Sequence, residues 1–163
     1  LKGRGGRTGG EKGPSGGPGA RRGVGKCLGW AGRYGSVNMG KANFEFAAAM
    51  QVPRLMGERD SEFLGQYTPC ENMADDALVE AIAKVHVEFI LVHPFREGNG
   101  RLARLLAHVM ALQAGMPGLD FSSWDAERED YFAAIRTGMD CDYSEMEQLV
   151  RQALQDALSD SGE

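Results

Sequence analysis

Residues 74–92 constrain this chain more than any other stretch: Leu78, Ile82, Val85, Phe89 and Val92 recur at steps of three and four, and Ala81, Val87, Ile90 and Leu91 fill the flanks. That spacing is helical, and a helix apolar on most of its faces has to be surrounded by other elements. Asp75 and Asp76 stand where a helix start favours a cap and negative charge. His93-Pro94 ends the run, because the residue before a proline is pushed out of the α region. The chain is therefore expected to build around one central helix.

The remaining patterns fit around it. Residues 101–114 repeat through Leu102, Leu105, Leu106, Val109, Met110 and Leu112, with Gly115 as a stop and Pro117 just beyond. Further helices are expected from Ser123 or Asp125 to about Thr137, with Tyr131, Phe132 and Ile135 on one face, and over 143–158, where Ser144 and Glu147 have capping-box spacing. Upstream, Pro53 suits a first helical turn, so a helix is expected to begin near Gln51. Residues 33–46 mix β-formers around an Asn-Met-Gly-Lys turn signal and predict a short hairpin. The fold class is all-α with one small hairpin.

At 163 residues with 42% apolar content, the chain has room for one core and one domain. Residues 1–26 hold eleven glycines and almost no large apolar side chains, so burial cannot offset their ordering entropy and a disordered tail is expected. The domain proper is expected over 27–163. The tail carries seven Lys or Arg against one Glu, which leaves about −11 of the net −5 to the rest of the chain. Such an acidic body is a poor general binder of nucleic acid, whose affinity rests on phosphate neutralisation. No run of 18 apolar residues and no secretory pattern stands out, and Cys27, Cys70 and Cys141 are odd in number and lack CxxC spacing. The expectation is a cytoplasmic protein without a membrane partner, a disulfide framework or a zinc site.

Chemistry is concentrated between the two core helices, in His93-Pro94-Phe95-Arg96-Glu97-Gly98-Asn99-Gly100-Arg101-Leu102-Ala103-Arg104. Gly98 and Gly100 bracket Asn99 where a loop enters a helix, so backbone N–H groups can converge and the positive helix end adds to them; phosphate is the natural ligand. Arg101 and Arg104, at i and i+3, can fork onto phosphate oxygens. Glu97 beside those phosphates is repulsive unless a hard cation intervenes, which suggests ATP with Mg²⁺. His93, with an ordinary pKa of about 6.5, suits proton removal from a hydroxyl near neutral pH. Phe95 is assigned to structure, pinning the loop and holding the histidine. His86 and His108 sit among apolar residues and are expected to be structural.

These twelve residues resemble the signature of the Fic family, HPFx(D/E)GNGRxxR, at every specified position. The resemblance implies a compact helical bundle with a β-hairpin flap, and a nucleotidyltransferase that moves AMP from ATP to a Ser, Thr or Tyr hydroxyl of a protein (AMPylation), releasing pyrophosphate. It further implies His93 as the base, Glu97 as the magnesium ligand, and Gly98, Asn99 and Gly100 as the anion-binding turn. Arg101 would hold phosphate oxygens, and Arg104 the γ-phosphate or, in autoinhibited members, an inhibitory glutamate. Tyr131 matches an aromatic position near the nucleoside, with core packing as its other reading.

Upstream, Trp30-Ala31-Gly32-Arg33, Val37-Asn38-Met39-Gly40-Lys41 and Phe44-Glu45-Phe46-Ala47 resemble the flap, which implies a protein target laid along residues 34–46 by strand addition. Family members usually carry helical sequence ahead of the flap, where this chain has its Gly-rich tail. Of the inhibitory pattern (S/T)xxxE(G/N), only a partial copy stands at Ser159-Asp160-Ser161-Gly162-Glu163, a coincidence in a frayed end. Inhibition in trans by a small antitoxin-like protein is a further expectation. Two rival readings are a Doc-like phosphotransferase, disfavoured by the paired glycines, and a non-catalytic binding module on the same scaffold.

Overall fold

The computed structural model describes residues 32–41 and 44–160. The tail expected over 1–26, the first two residues of the flap match and the last three of the partial inhibitory pattern lie outside them. Two short antiparallel strands, β1 (Gly40–Lys41) and β2 (Phe44–Glu45), precede, among the described residues, six α-helices of five residues or more. These are α1 (Val52–Arg59), α2 (Asp75–Val92), α3 (Asn99–Gln113), α4 (Ser122–Ala126), α5 (Arg128–Thr137) and α6 (Ser144–Asp160). The fold is mostly helical, as the periodicities predict.

α2 is central. Leu78, Val79, Ile82, Ala83, Val85 and Val87 are buried, and α1, α3, α5 and α6 all pack on it. Its buried Glu88 is satisfied internally: it accepts from Tyr143 Oη at 2.6 Å and pairs with Arg59 Nε at 2.8 Å. Trp124, Met110, Met146 and Val150 complete the core. Among the described residues no helix is long and apolar enough to cross a membrane.

Several boundaries differ from expectation for local reasons. The α2 cap is the extended Ala74, whereas Asp75 and Asp76 lie inside the first turn, where they face the helix dipole but do not cap. α1 starts beyond Gln51 with Pro53 in its first turn, then runs on through a π-helical stretch, Asp60–Leu64, to Tyr67. α3 begins at Asn99, two residues early, because Gly98 in the left-handed region supplies its cap. The helix expected up to Thr137 is two, since Glu127 closes α4 and opens α5: its N–H bonds Ser123 O while its carbonyl receives the Tyr131 N–H. The start of α6 is held by Asp142, whose Oδ1 accepts the Ser144 N–H at 3.0 Å in place of the expected Ser144 capping box. In the hairpin, the register Gly40↔Glu45 and Lys41↔Phe44 puts the reversal after Lys41, so the Asn-Met-Gly-Lys signal runs into β1 and is not itself the turn.

Candidate active site

The junction of α2 and α3 is shaped by two left-handed residues. His93 ends α2 at φ 48°, ψ 56°, with its N–H on Phe89 O. A non-glycine residue there is strained by about 1–3 kcal/mol, a cost typical of functional sites. The proline rule correctly removes His93 from the helix, but the capping hydrogen bond selects the left-handed region over the extended one. Gly98, at φ 87°, makes the second turn. Leu102 N–H then bonds Gly98 O, so the N–H groups of Asn99, Gly100 and Arg101 precede the first intrahelical bond and can face an anion. A Cβ on Gly100 would meet no protein atom within 4 Å. Packing within the chain does not demand that glycine, and the space beside it is open.

Asn99 is 2% exposed, and its side chain both accepts from Phe95 N–H at 2.9 Å and donates to Phe95 O. Its amide therefore staples the loop. Phe95 pairs with Tyr34 through a β-bridge and a ring contact of 5.9 Å. The ring lying on His93 is instead Phe46, stacked at 3.7 Å between centroids and 18° between planes. The expectation that Phe95 holds the histidine is corrected accordingly: its backbone is committed to Asn99 and its ring to Tyr34.

A cavity of about 700 Å³ opens beside this junction. One wall is His93, Gly100, Arg101 and Arg104; the facing wall is Asp125, Arg128, Tyr131, Phe132, Ile135 and Arg136; Phe44 and Phe46 of the hairpin also line it. Arg104 meets Asp125 in a two-pronged pair, Nη1–Oδ2 at 3.0 Å and Nη2–Oδ1 at 2.8 Å. Its guanidinium also lies 5.4 Å over Phe121 and 5.9 Å from both Trp124 and Tyr131. These hydrogen bonds hold the Asp125 carboxyl below its usual range.

Tyr131 is packed in the core and also borders the cavity. It is 8% exposed and stacks on Trp124. Its hydroxyl shares a 2.9 Å hydrogen bond with His86 Nε2, and burial pushes its pKa up to about 12. Burial, with Arg104 nearby, takes His86 down to about 4. His86 is thus a neutral core histidine, and His108 accepts the Leu119 N–H at 3.1 Å in another structural contact.

Glu97 is exposed on the loop and does not line the cavity. Among the described residues there is no group of three or more His, Cys, Asp or Glu able to enclose a metal. A cation that takes one carboxylate and completes its shell with phosphate oxygens and water needs no such group; Glu97 is the one carboxylate on the loop between α2 and α3. Sequence reading missed Asp125, Arg128 and Arg136. The spacing of 128, 132 and 136 along one helical face is the signal that could have found the two arginines.

These features define a helical domain with an anion-ready helix start beside a histidine and an apolar cavity. The profile of the Fic/DOC family matches residues 19–111, more than half the chain, and the chain belongs to that family. Protein adenylyltransferase fic-1 of Caenorhabditis briggsae is 37% identical over 84 residues, 52% of this chain and 16% of that protein. The chain therefore spans about a sixth of that relative. Among solved structures, a Fic-1 fragment from C. elegans superposes at a TM-score of 0.65 with 22% identity, covering 87% of this chain and 40% of that one. The BepC protein of Bartonella tribocorum, with bound AMPPNP, gives a TM-score of 0.62 at 20% identity, covering 77% and 66%. At these identities the structures establish the shared fold.

Proposed function

We propose that this chain binds ATP in the cavity and transfers AMP to a hydroxyl of another protein. The observation that carries this is the convergence on one cavity of His93, the N-terminus of α3, Arg101 and Arg104, opposite the apolar Tyr131, Phe132 and Ile135. The adenylyltransferase name of the C. briggsae relative and the AMPPNP bound by BepC support the reading.

In this reading the triphosphate lies along the N-terminus of α3, where free N–H groups and two guanidinium groups neutralise charge. The nucleoside occupies the apolar part between hairpin and α5. Glu97 would hold Mg²⁺, which when bound supplies further charge neutralisation on the phosphates. An extended target segment adds along the hairpin and brings its hydroxyl to His93. His93 takes the hydroxyl proton as the oxygen bonds the α-phosphorus, and the bond from that phosphorus to the bridging oxygen breaks to release pyrophosphate. Positioning and electrostatics do most of the work in such a step.

The test incubates the purified chain and His93→Ala with Mg²⁺ and ATP labelled at the α- or the γ-phosphate, in a cell lysate. Protein-bound α-label that falls by about 100-fold or more in His93→Ala is expected, the scale of a lost general base. Protein-bound γ-label alone would move the conclusion to phosphotransfer, and no label from either position would overturn the transferase reading.

A further inference from the structure

The hairpin is fastened to the site on both sides of His93. Gly35 N–H donates to Pro94 O at 2.9 Å and Ala47 N–H to Leu91 O at 3.2 Å, so both ends of the hairpin segment are tied to backbone that brackets the histidine. Within that segment Phe46 N–H donates to Met39 O at 3.1 Å, continuing the strand ladder by one step beyond Gly40↔Glu45. Side chains alternate along a strand, so Phe44 and Phe46 share a face; both line the cavity, while Glu45 is exposed. A slip of one residue in the hairpin register would turn Phe46 away from His93.

We propose that Phe46 is the positioning residue of the catalytic histidine, and that the hairpin's register thereby sets the aim of the imidazole. His93 has a left-handed backbone, and the Phe46 ring lies stacked face to face on its imidazole. Stacking restricts the imidazole plane. A segment that pairs with the hairpin would stabilise its register and so steady the base at the moment an acceptor arrives. The two aligned groups, acceptor and base, would then be positioned by one element.

The kinetic part of the test rests on the AMP-transfer reading; the chemical part does not. Full-length Phe46→Leu and Phe46→Tyr are compared with the unmodified chain, with thermal unfolding checked for each. Carbethoxylation by diethyl pyrocarbonate is followed by mass spectrometry at His93, with His86 and His108 as internal references, alongside kcat and the KM for ATP. Phe46→Leu is expected to make His93 several times more reactive, leave the other two histidines unchanged, and lower kcat about tenfold, as small misalignments of a reacting group do; KM for ATP is expected to change by less than kcat, since leucine keeps an apolar side chain on the cavity wall. Phe46→Tyr, which keeps the ring, restores both readouts. Unchanged His93 reactivity in Phe46→Leu, a KM that rises in step with the loss of kcat, or no rescue by tyrosine would overturn the proposal. Altered reactivity with rescue, in a protein that transfers no AMP, would keep the positioning role and sink the transfer reading instead.

Discussion

The two walls of the cavity are built by different means. The wall made by the end of α2, the loop and the start of α3 is fixed from inside: Asn99 is buried and bonded twice to Phe95, Ala103 and Ala107 are buried beneath it, and Gly35 and Ala47 tie the hairpin to it. The wall made by α4 and α5 is buried at Trp124, Tyr131, Ala134 and Ile135, and its charged residues are exposed, with Asp125 66% exposed along its side chain. A rigid wall suits chemistry that tolerates little misplacement. A solvated wall is free to tune what is bound, because changes there disturb no core.

The contrast is most exposed to failure where the walls join, at the His86–Tyr131 hydrogen bond between α2 and α5. His86 is neutral in the fold with a pKa near 4, against an ordinary 6.5. The unfolded chain thus binds the extra proton first as pH falls, and stability is lost progressively from pH 6.5 down to 4. The expected loss from this group alone is about 3 kcal/mol. Urea unfolding at both pH values, compared with His86→Gln, checks it; an equal slope in the variant would show that His86 is not the group whose protonation costs this stability.

A smaller effect is expected within the rigid wall. Asn99→Ala leaves the Phe95 N–H and carbonyl without their partner, which costs about 2 kcal/mol for part-buried groups. The urea midpoint should drop with an unchanged m-value. If Asn99 acted only on a ligand, stability would stay put and only nucleotide affinity would move.

The same division decides how much could be read in advance. The rigid wall is a contiguous run, 93–104, in which residue type, spacing and helix boundaries all point one way, so His93, Gly100, Arg101 and Arg104 were legible before any coordinates. α2 was legible because apolar spacing over five turns has few alternatives. The solvated wall was not, since Asp125 gains its meaning from an arginine 21 residues away and Arg128 and Arg136 look like ordinary surface charge. The partner of His93 was misassigned for a related reason. Phe95 is near in sequence, but Phe46 reaches the ring through a hairpin register that the turn signal placed in the wrong position.

Arg104 is where the walls compete, and it carries the last prediction. A polyphosphate that uses both prongs of Arg104 has to displace the Asp125 carboxylate from them, and the carboxylate also adds negative charge beside the anion. An exposed pair of this kind opens readily, so displacement is feasible but still weakens the incoming ligand's hold. Asp125→Asn is therefore expected to tighten a non-hydrolysable ATP analogue about tenfold, the scale of one charge-assisted contact, and to leave AMP unchanged. Calorimetric titration of both ligands measures this, and Arg104→Ala should erase the gain if the two residues act through each other. Were Asp125 needed to aim Arg104, the analogue would instead bind more weakly in Asp125→Asn. The solvated wall would then be part of the fixed machinery, and the contrast between the two walls would fail at that point.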